Sequence, residues 1–322
     1  MKRKYSIILG NLGNTCDRFC RGYKSNPDTV VMLKQAAAIP HVSGIELVGT
    51  WDVRPDNSRD MKKMLDDHEL ACVSIIPDIF SDSSYGKGSY SSIDRAIRQK
   101  AVDYTKAMCD VAGELNCTVM NLWPGQDGYD YLLATDYEKQ REWMCEAITK
   151  LASEYPHLSF ALEYKPQEPR THSCLARMAD TLLLVKEINK DNVGVTLDTG
   201  HAFAAGENVS ESIVLARRAG NHLLHMHFND NHGSWDDDMI VGTVHSVCYL
   251  EMLYWLDRCE YDGWFSMDQY PYREDAVGAL TESIQWLIKF DTILEEHRST
   301  IDSLIAMQDA VETSRFLRTV LV

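Results

Sequence analysis

The sequence has no apolar run of the kind that crosses a membrane, since nowhere do about 18 consecutive apolar residues occur. Basic charge is also scarce: 32 Lys and Arg stand against 48 Asp and Glu, which leaves a formal net charge of −16. Nucleic-acid phosphates and anionic lipids attract basic surfaces. We therefore expect no nucleic-acid partner and no membrane partner.

Paired cysteine motifs are missing as well. The nine cysteines are scattered along the chain, and the spacing of Cys16 and Cys20 has no second half-site that would complete a structural zinc motif. The apolar stretch Tyr5–Gly10 behind the basic N-terminus is too short for the core of a secretion signal. We expect a cytoplasmic protein with reduced thiols.

Short β-rich runs alternate with longer helical patterns eight times. The runs are mostly apolar and bounded by turn residues, which is typical of strands buried on both faces of a parallel sheet. Eight such units in roughly 300 residues predict a closed barrel. An open doubly wound sheet is the alternative, but it usually carries a Gly-rich fingerprint that Gly10–Gly13 lacks. The predicted strands are Tyr5–Asn11, Gly44–Gly49, Leu70–Ile79, Cys117–Trp123, Leu158–Tyr164, Val193–Asp198, Leu223–Asn229 and Gly263–Tyr270.

Two segments outside this alternation need separate expectations. The tail Ser299–Val322 has apolar residues at helical spacing, so we predict a (β/α)₈ TIM barrel over 1–297 with an additional C-terminal helix over 298–322. The tail packs either on the outer ring of the barrel or on a neighbouring subunit, and we expect a homo-oligomer. The Ser/Gly/Tyr-rich stretch Ser81–Ser92 is either a mobile lid or a plain surface loop.

Chemically capable residues stand where four consecutive predicted strands end. Functional residues of a barrel lie at that end of its strands, and ionised groups that crowd there must pair or bind a metal. A mixed set of oxygen and nitrogen ligands with carboxylates dominant suits Mn²⁺, Co²⁺, Mg²⁺ or Zn²⁺. The four residues are Glu163, Asp198, His227 and Asp268.

The loop after the seventh predicted strand contains Trp235-Asp236-Asp237-Asp238. If this run is extended, Asp236 and Asp238 face one point and Asp237 faces away. Together with His201 they would hold a second cation beside the first, and two adjacent metals polarise two neighbouring substrate oxygens. A solvated turn is the alternative interpretation.

Four further residues complete the predicted site. Lys165 lies two residues past Glu163, where its ammonium group would neutralise charge that develops on a substrate oxygen; a plain ion pair is the alternative. Trp51 and Trp123 follow the second and fourth predicted strands and are candidates for pocket walls or for ordinary packing. His225 points the same way as His227 along its strand and is a candidate supporting histidine.

Taken in order, these motifs resemble the xylose isomerase-like TIM-barrel superfamily, and within it the L-rhamnose isomerase type. The resemblance spans nearly all of the first 297 residues. It implies that Glu163, Asp198, His227 and Asp268 bind a structural metal, and that His201, Asp236 and Asp238 bind the catalytic metal or its water. It also implies that Lys165 and His201 contact the substrate. The motifs are E-x-K from Glu163, D-x-x-H from Asp198, H-x-N from His227, W-D-x-D from Trp235, and Asp268.

The resemblance implies an intramolecular oxidoreductase: an aldose–ketose isomerase that uses a divalent metal, with Mn²⁺ expected. In that family the open sugar places O1 and O2 on the metals and a hydrogen moves directly between C1 and C2. The chain is shorter than typical rhamnose isomerases, and its first loop does not map onto their substrate contacts. The sugar therefore stays open among rhamnose, lyxose, mannose, ribose and a branched pentose such as apiose.

Other activities of the same barrel remain alternatives. A ketose 3-epimerase uses two facing Glu residues as acid and base, whereas this chain has the shorter Asp268 and adds Lys165. A lyase or a C-glycoside-cleaving relative would use the same metal ligands. An apurinic endonuclease fits poorly with a net charge of −16. A non-catalytic sugar-binding module would not need a two-metal ligand set.

Overall fold

The computed structural model describes residues 3–16 and 19–321, and eight parallel strands close into a barrel. Around the barrel the strands follow the order β1-β11-β10-β9-β6-β4-β3-β2. The barrel strands are β1 Lys4–Ile8, β2 Val42–Val48, β3 Ala71–Ile76, β4 Val119–Leu122, β6 Ser159–Glu163, β9 Val193–Asp198, β10 Leu223–Phe228 and β11 Trp264–Met267. Three short strands outside the barrel are β5 Gly128–Tyr129, β7 Gln167–Glu168 and β8 Thr171–Ser173.

Helices surround the barrel and cover the outer faces of its strands. The helices are α1 Thr29–Ala38, α2 Ser58–Asp67, α3 Arg95–Glu114, α4 Tyr137–Glu154, α5 Met178–Ile188, α6 Thr199–Ala204, α7 Val209–Gly220, α8 Ser246–Arg258, α9 Ala276–Met307 and α10 Ala310–Val320. Two 3₁₀ turns lie at Leu9–Leu12 and Ser83–Tyr85. The predicted (β/α)₈ TIM barrel with an additional helical C-terminus is confirmed.

The strands are buried because each has helices on one side and the barrel interior on the other. All six residues of β9 are buried, and β2, β3 and β6 are buried over their last four residues or more. This burial explains why the sequence shows continuous apolar runs instead of a strict alternation.

The fifth predicted helix begins later than expected. The sequence pattern predicts a helix over His172–Asn189, whereas α5 begins at Met178 and Thr171–Ser173 forms strand β8. β8 pairs antiparallel with β5 and β7, and Asp130 accepts hydrogen bonds from Arg170 Nε (2.9 Å) and Thr171 Oγ1 (2.6 Å). These tertiary contacts override the helical pattern and build a small sheet after strand β6.

The stretch Ser81–Ser92 is packed down on the barrel. The Asp127 carboxylate accepts hydrogen bonds from the backbone N–H groups of Ser89 (3.0 Å) and Ser91 (2.6 Å). Tyr85 and Tyr90 of this stretch are buried, and the Tyr90 hydroxyl bonds to a threonine of α3. This arrangement describes an anchored loop and not an open lid.

The C-terminal tail contains two helical pieces instead of one. Helix α9 continues through Ser299 to Met307 and has non-helical backbone angles at His297. Gln308 then adopts a left-handed conformation with φ of 55°, and Asp309 caps the N-terminus of α10 through the Val311 and Glu312 N–H groups. No helix among the described residues is long and apolar enough to cross a membrane.

Arg3 ties the first strand to the last two long helices. Its guanidinium bonds to Asp291 of α9 through Nε (3.1 Å) and Nη2 (2.8 Å), and to Asp257 of α8 at 2.7 Å. It also lies 4.8 Å from the ring centroid of Phe265 on β11. The Arg3 side chain is buried, so its charge depends on these two carboxylates.

We expect Arg3→Met to lower the free energy of unfolding by about 3 kcal/mol, because it leaves two partly buried carboxylates without this partner. Chemical denaturation of both proteins measures the change. Arg54→Met is the control, because Arg54 pairs with Asp56 on the exposed surface and its loss costs less than about 1 kcal/mol. If the two substitutions lowered the free energy of unfolding equally, that result would contradict the conclusion that Arg3 ties the first strand to helices α8 and α9.

Candidate active site

The carboxyl ends of the barrel strands surround a cavity of about 170 Å³. Strands β6, β9, β10 and β11 deliver charged side chains to one side of it, and β1, β2 and β3 deliver aliphatic ones to the other. Every predicted site residue except Asp198, His225 and His227 lines the cavity, and these three are buried below it. The lining residues are Ile8, Val48, Trp51, Ile76, Phe80, Trp123, Glu163, Lys165, His201, Asp236, Asp238, Asp268 and Tyr270.

Glu163, Asp198, His227 and Asp268 form one cluster, with one ligand atom from each lying within 4.8 Å of the others. The His227 Nδ1 atom faces all three carboxylates, at 3.1 Å from Asp268, 3.3 Å from Glu163 and 3.9 Å from Asp198. Each residue lies at the carboxyl end of a strand or within one residue of it, which is why residues from four different strands can meet here. The structure brings together all four residues predicted for the first metal.

A second cluster adjoins the first and shares Asp198 with it. Asp198, His201 and Asp236 offer ligand atoms within 4.8 Å of one another. Asp198 caps the short helix α6 by accepting the His201 N–H at 2.8 Å, which turns the His201 ring toward the cavity. The His201 Nε2 atom then lies 3.1 Å from Asp236 Oδ2.

Asp238 lines the cavity but does not belong to that second cluster of three. The run Asp236–Asp238 is not extended, because Asp238 has a positive φ of 51°. The Asp237 carboxylate turns away from the cavity and accepts the His232 N–H at 3.1 Å. The loop therefore presents Asp236 and Asp238 to the cavity through a bend instead of strand alternation.

Lys165 is held over the cavity by two carboxylates and an aromatic ring. Its Nζ atom lies 2.9 Å from Asp236 Oδ2, contacts Glu168, and lies 5.3 Å from the Trp123 ring centroid. Burial lowers the pKa of Lys165, but the charges of Asp236, Glu168 and Asp238 outweigh burial and raise that pKa above its ordinary value. The ammonium group therefore stays charged.

The charges of the two clusters shift each other strongly. Burial, followed by the neighbouring carboxylates, raises the pKa of Asp198 to about 7 despite the opposing charge of His201. Burial lowers the pKa of His201, but Asp198 and Asp236 outweigh it and raise that pKa to about 9. Glu46 and Glu163 likewise outweigh burial and raise the pKa of His227 well above its ordinary value. Protons thus partly compensate a strong local excess of negative charge.

Three ligand atoms of the site are buried without a hydrogen bond, as expected of atoms that bind a cation. Among residues 3–16 and 19–321, these site atoms without a hydrogen-bond partner are Asp236 Oδ1, Asp268 Oδ1 and His201 Nδ1, the last of which lies 3.3 Å from Glu163 Oε1. Buried polar atoms are nearly always paired in native proteins. The mixture of oxygen and nitrogen donors suits a divalent metal such as Mn²⁺, Mg²⁺, Co²⁺ or Zn²⁺. The residues present therefore fit such an ion.

Aromatic and aliphatic side chains form the opposite wall. The Phe80 ring packs between Trp51 (centroids 5.9 Å apart) and Trp123 (4.6 Å), in edge-to-face contacts. Ile8, Val48 and Ile76 form a small buried cluster behind Phe80. The Trp123 Nε1 donor is buried without a hydrogen-bond partner among the described residues. The cavity thus has one charged wall and one apolar wall.

Sequence reasoning missed four residues at or beneath this site. Asn121 of β4 donates to Glu163 Oε2 at 2.7 Å, and Glu46 of β2 lies on the other side of His227. Glu168 contacts Lys165, and Phe80 joins the two tryptophans. Asn121 and Glu46 carried a signal, since each is a polar residue within a mostly apolar strand. Phe80 lies in a loop and Glu168 in the two-residue strand β7, and neither segment has a recognisable sequence pattern.

Comparisons with known proteins agree with this fold. A family model described as "Xylose isomerase-like TIM barrel" matches residues 33–290. A xylose isomerase from Thermus thermophilus is 27% identical over 227 residues, which cover 68% of this chain and 58% of that protein. The chain thus spans less than two thirds of the length of this curated relative.

Two solved structures are similar in fold. A D-tagatose 3-epimerase-like protein superposes with a TM-score of 0.70 at 22% identity, covering 91% of this chain and 99% of the other. An L-ribulose 3-epimerase superposes with a TM-score of 0.72 at 15% identity, covering 94% and 98%. At identities this low the likeness concerns the fold alone.

Because the carboxylates are crowded, we expect the stability of the metal-free protein to depend on pH. Burial, with the charges of Asp236 and Asp268, raises the pKa of Asp238 well above its ordinary 3.8. Above about pH 4 the unfolded chain releases this proton while the native state retains it, so native stability falls as pH rises toward the raised pKa. In a chelator, Asp238→Asn should therefore raise the free energy of unfolding at pH 8, by about 1–2 kcal/mol, and by less at pH 5.

Asp237→Asn is the matched control for this measurement, because its carboxylate faces away from the cavity toward His232. Urea unfolding at the two pH values compares the three proteins. A destabilised Asp238→Asn, or an equal gain from Asp237→Asn, would contradict the repulsion described above.

Proposed function

The chain belongs to the xylose isomerase-like TIM barrel family, and from that premise we propose that it is a metal-dependent sugar isomerase that interconverts an aldose and a ketose. The proposed substrate is an open-chain pentose or deoxyhexose such as rhamnose, lyxose or apiose. The proposed metal is Mn²⁺, with Co²⁺, Mg²⁺ and Zn²⁺ as alternatives. The named relative, a xylose isomerase, supports the reaction class.

The observation that carries this proposal is the pair of adjoining clusters that share Asp198. Glu163, His227 and Asp268 complete one of them, and His201 and Asp236 complete the other. Divalent cations held there would polarise two neighbouring sugar oxygens. A single cluster would suffice to hold one ion for structural purposes; the second, on the cavity side, supports chemistry on a bound molecule.

Lys165 is the residue we propose to act on the sugar itself. Its ammonium group is fixed by Asp236 and Glu168 and needs no rearrangement to donate a hydrogen bond into the cavity. A preorganised positive charge in a partly buried site stabilises the negative charge that develops on a sugar oxygen during the reaction. In the proposed 1,2-hydride shift the hydrogen moves within the substrate, so no side chain needs to remove it.

The opposite wall supports the proposed substrate class. Trp51, Phe80 and Trp123 line the cavity with aromatic side chains that can pack against the C–H groups of a sugar. Ile8, Val48 and Ile76 offer no polar atom from their side chains. A methyl or unsubstituted end of a sugar would be accepted there at lower cost than a hydroxyl group.

Proton NMR tests the reaction class. The Mn²⁺-loaded protein is incubated with aldoses and ketoses in D₂O, and the metal is removed from the mixture before the spectra are recorded. We expect a ketose formed from an aldose without deuterium at C1, and an aldose formed from a ketose without deuterium at C2, because the hydrogen does not leave the substrate in a hydride shift. Deuterium at C3 of a ketose would instead indicate a 3-epimerase that acts by proton abstraction. No turnover of any sugar in the panel would contradict the isomerase and favour a lyase or a relative that needs a second subunit.

Lys165→Met should lower kcat by about 10²–10³-fold, because it removes the charge that faces the developing oxyanion. The affinity for Mn²⁺ should not fall, since Lys165 competes with a cation for Asp236. Lys139→Met, which removes an exposed lysine paired with Glu142, is the control and should leave kcat unchanged. A Lys165→Met protein with full kcat would overturn the proposed role.

A further inference from the structure

A carboxylate lies inside the barrel below the candidate metal clusters. Glu46 is the one charged residue of β2, and it has no exposed surface. An ionised acid in a closed interior is strongly disfavoured unless charged or hydrogen-bonded partners replace the water it loses. The neighbours of Glu46 therefore decide what this residue does.

Four donors from three other strands surround the Glu46 carboxylate. Its Oε1 atom faces His225 Nε2 at 2.8 Å and accepts the Ser266 hydroxyl. Its Oε2 atom faces His227 Nε2 at 3.3 Å and accepts the Ser74 hydroxyl. An ionised carboxylate has about four acceptor positions and no donor, so this environment fills it completely.

His227 connects this interior carboxylate to the rim. Its Nε2 atom faces Glu46, while its Nδ1 atom faces Glu163, Asp198 and Asp268 of the first metal cluster. When Nε2 holds a hydrogen directed at an acceptor, the lone pair of a neutral imidazole lies on Nδ1. That arrangement leaves the rim-facing nitrogen ready to bind a cation.

We propose that Glu46 is a positioning residue of the metal centre: through His227 Nε2 it fixes the orientation and tautomer that present Nδ1 to the cation. This inference rests on the metal dependence in the proposed function. His225 supports it from the side, because its ring bonds to the other Glu46 oxygen and packs edge-on against His227 at 5.1 Å between centroids. Carboxylates that hold a metal-binding histidine in this way strengthen metal binding.

Affinity for the metal tests the proposal without reference to turnover. Glu46→Gln keeps the shape but removes the charge and introduces a donor against two histidines. Glu46→Asp keeps the charge but is one methylene too short to reach His227. We expect both variants to bind Mn²⁺ about 10–100-fold more weakly in chelator competition. The loss in Glu46→Asp separates positioning of His227 from mere neutralisation of buried charge, and it gives the answer should Glu46→Gln fail to fold.

Asp127→Asn is the matched control, since Asp127 is an equally buried carboxylate that accepts serine hydroxyl and backbone donors away from the clusters. Its Mn²⁺ affinity should equal that of the unaltered protein. A spectroscopic readout is the ring nitrogen spectrum of ¹⁵N-histidine-labelled, Zn²⁺-loaded protein. We expect a His227 Nε2–H proton shifted downfield by the charged acceptor, and a smaller downfield shift in Glu46→Gln.

Three results would overturn the proposal. Glu46→Gln and Glu46→Asp could bind Mn²⁺ within about twofold of the unaltered protein. The Zn²⁺-loaded spectrum could place the hydrogen on Nδ1 of His227. Finally, His225→Gln could bind one ion fewer per chain, which would place a cation among Glu46, His225 and His227 themselves. Failure of the unaltered protein to bind any divalent cation would instead overturn the proposed function.

Discussion

Repulsion among carboxylates at one end of the barrel governs the rest of this site. Glu163, Asp198, Asp236, Asp238 and Asp268 converge on a space that Lys165, His201 and His227 only partly neutralise. Raised pKa values at Asp198 and Asp238 express this excess as bound protons. A divalent cation would replace those protons and bond to the unpartnered oxygens of Asp236 and Asp268. The arrangement is thus costly alone and favourable with an ion.

The barrel distributes this charge unevenly, and the asymmetry gives the cavity its character. Strands β6, β9, β10 and β11 and the loops that follow them supply the charged wall. Strands β1, β2 and β3 end in Ile8, Val48 and Ile76, which lie beneath an aromatic layer. A sugar has hydroxyl groups and C–H groups, and each wall complements one of these. Below the rim, Glu46 continues the polar side into the barrel interior and ties it to β2.

Strand ends could be predicted from the sequence because the barrel places all of them at one rim. Glu163, Asp198, His227 and Asp268 followed directly from that rule, and the structure brings them together. Glu46 escaped the same rule because it lies within its strand and not at its end, although a glutamate in GIELV is itself unusual. The bend at Asp238 and the end of helix α9 at Gln308 depend on left-handed backbone angles. The residue types Asp and Gln alone do not predict such angles. Strand β8 forms where the sequence pattern predicts a helix, because pairing with β5 and β7 prevails over the local preference for a helix.

The proposed site depends most directly on a cation at the carboxylate clusters. Anomalous diffraction from crystals grown with Mn²⁺, recorded on both sides of the manganese absorption edge, locates the ion without any assumption about the reaction. We expect an anomalous-difference peak within coordination distance of Glu163, Asp198, His227 Nδ1 and Asp268. A second peak is expected beside His201 and Asp236 once a sugar is bound. Absence of manganese among these residues at saturating Mn²⁺ would contradict the proposed site.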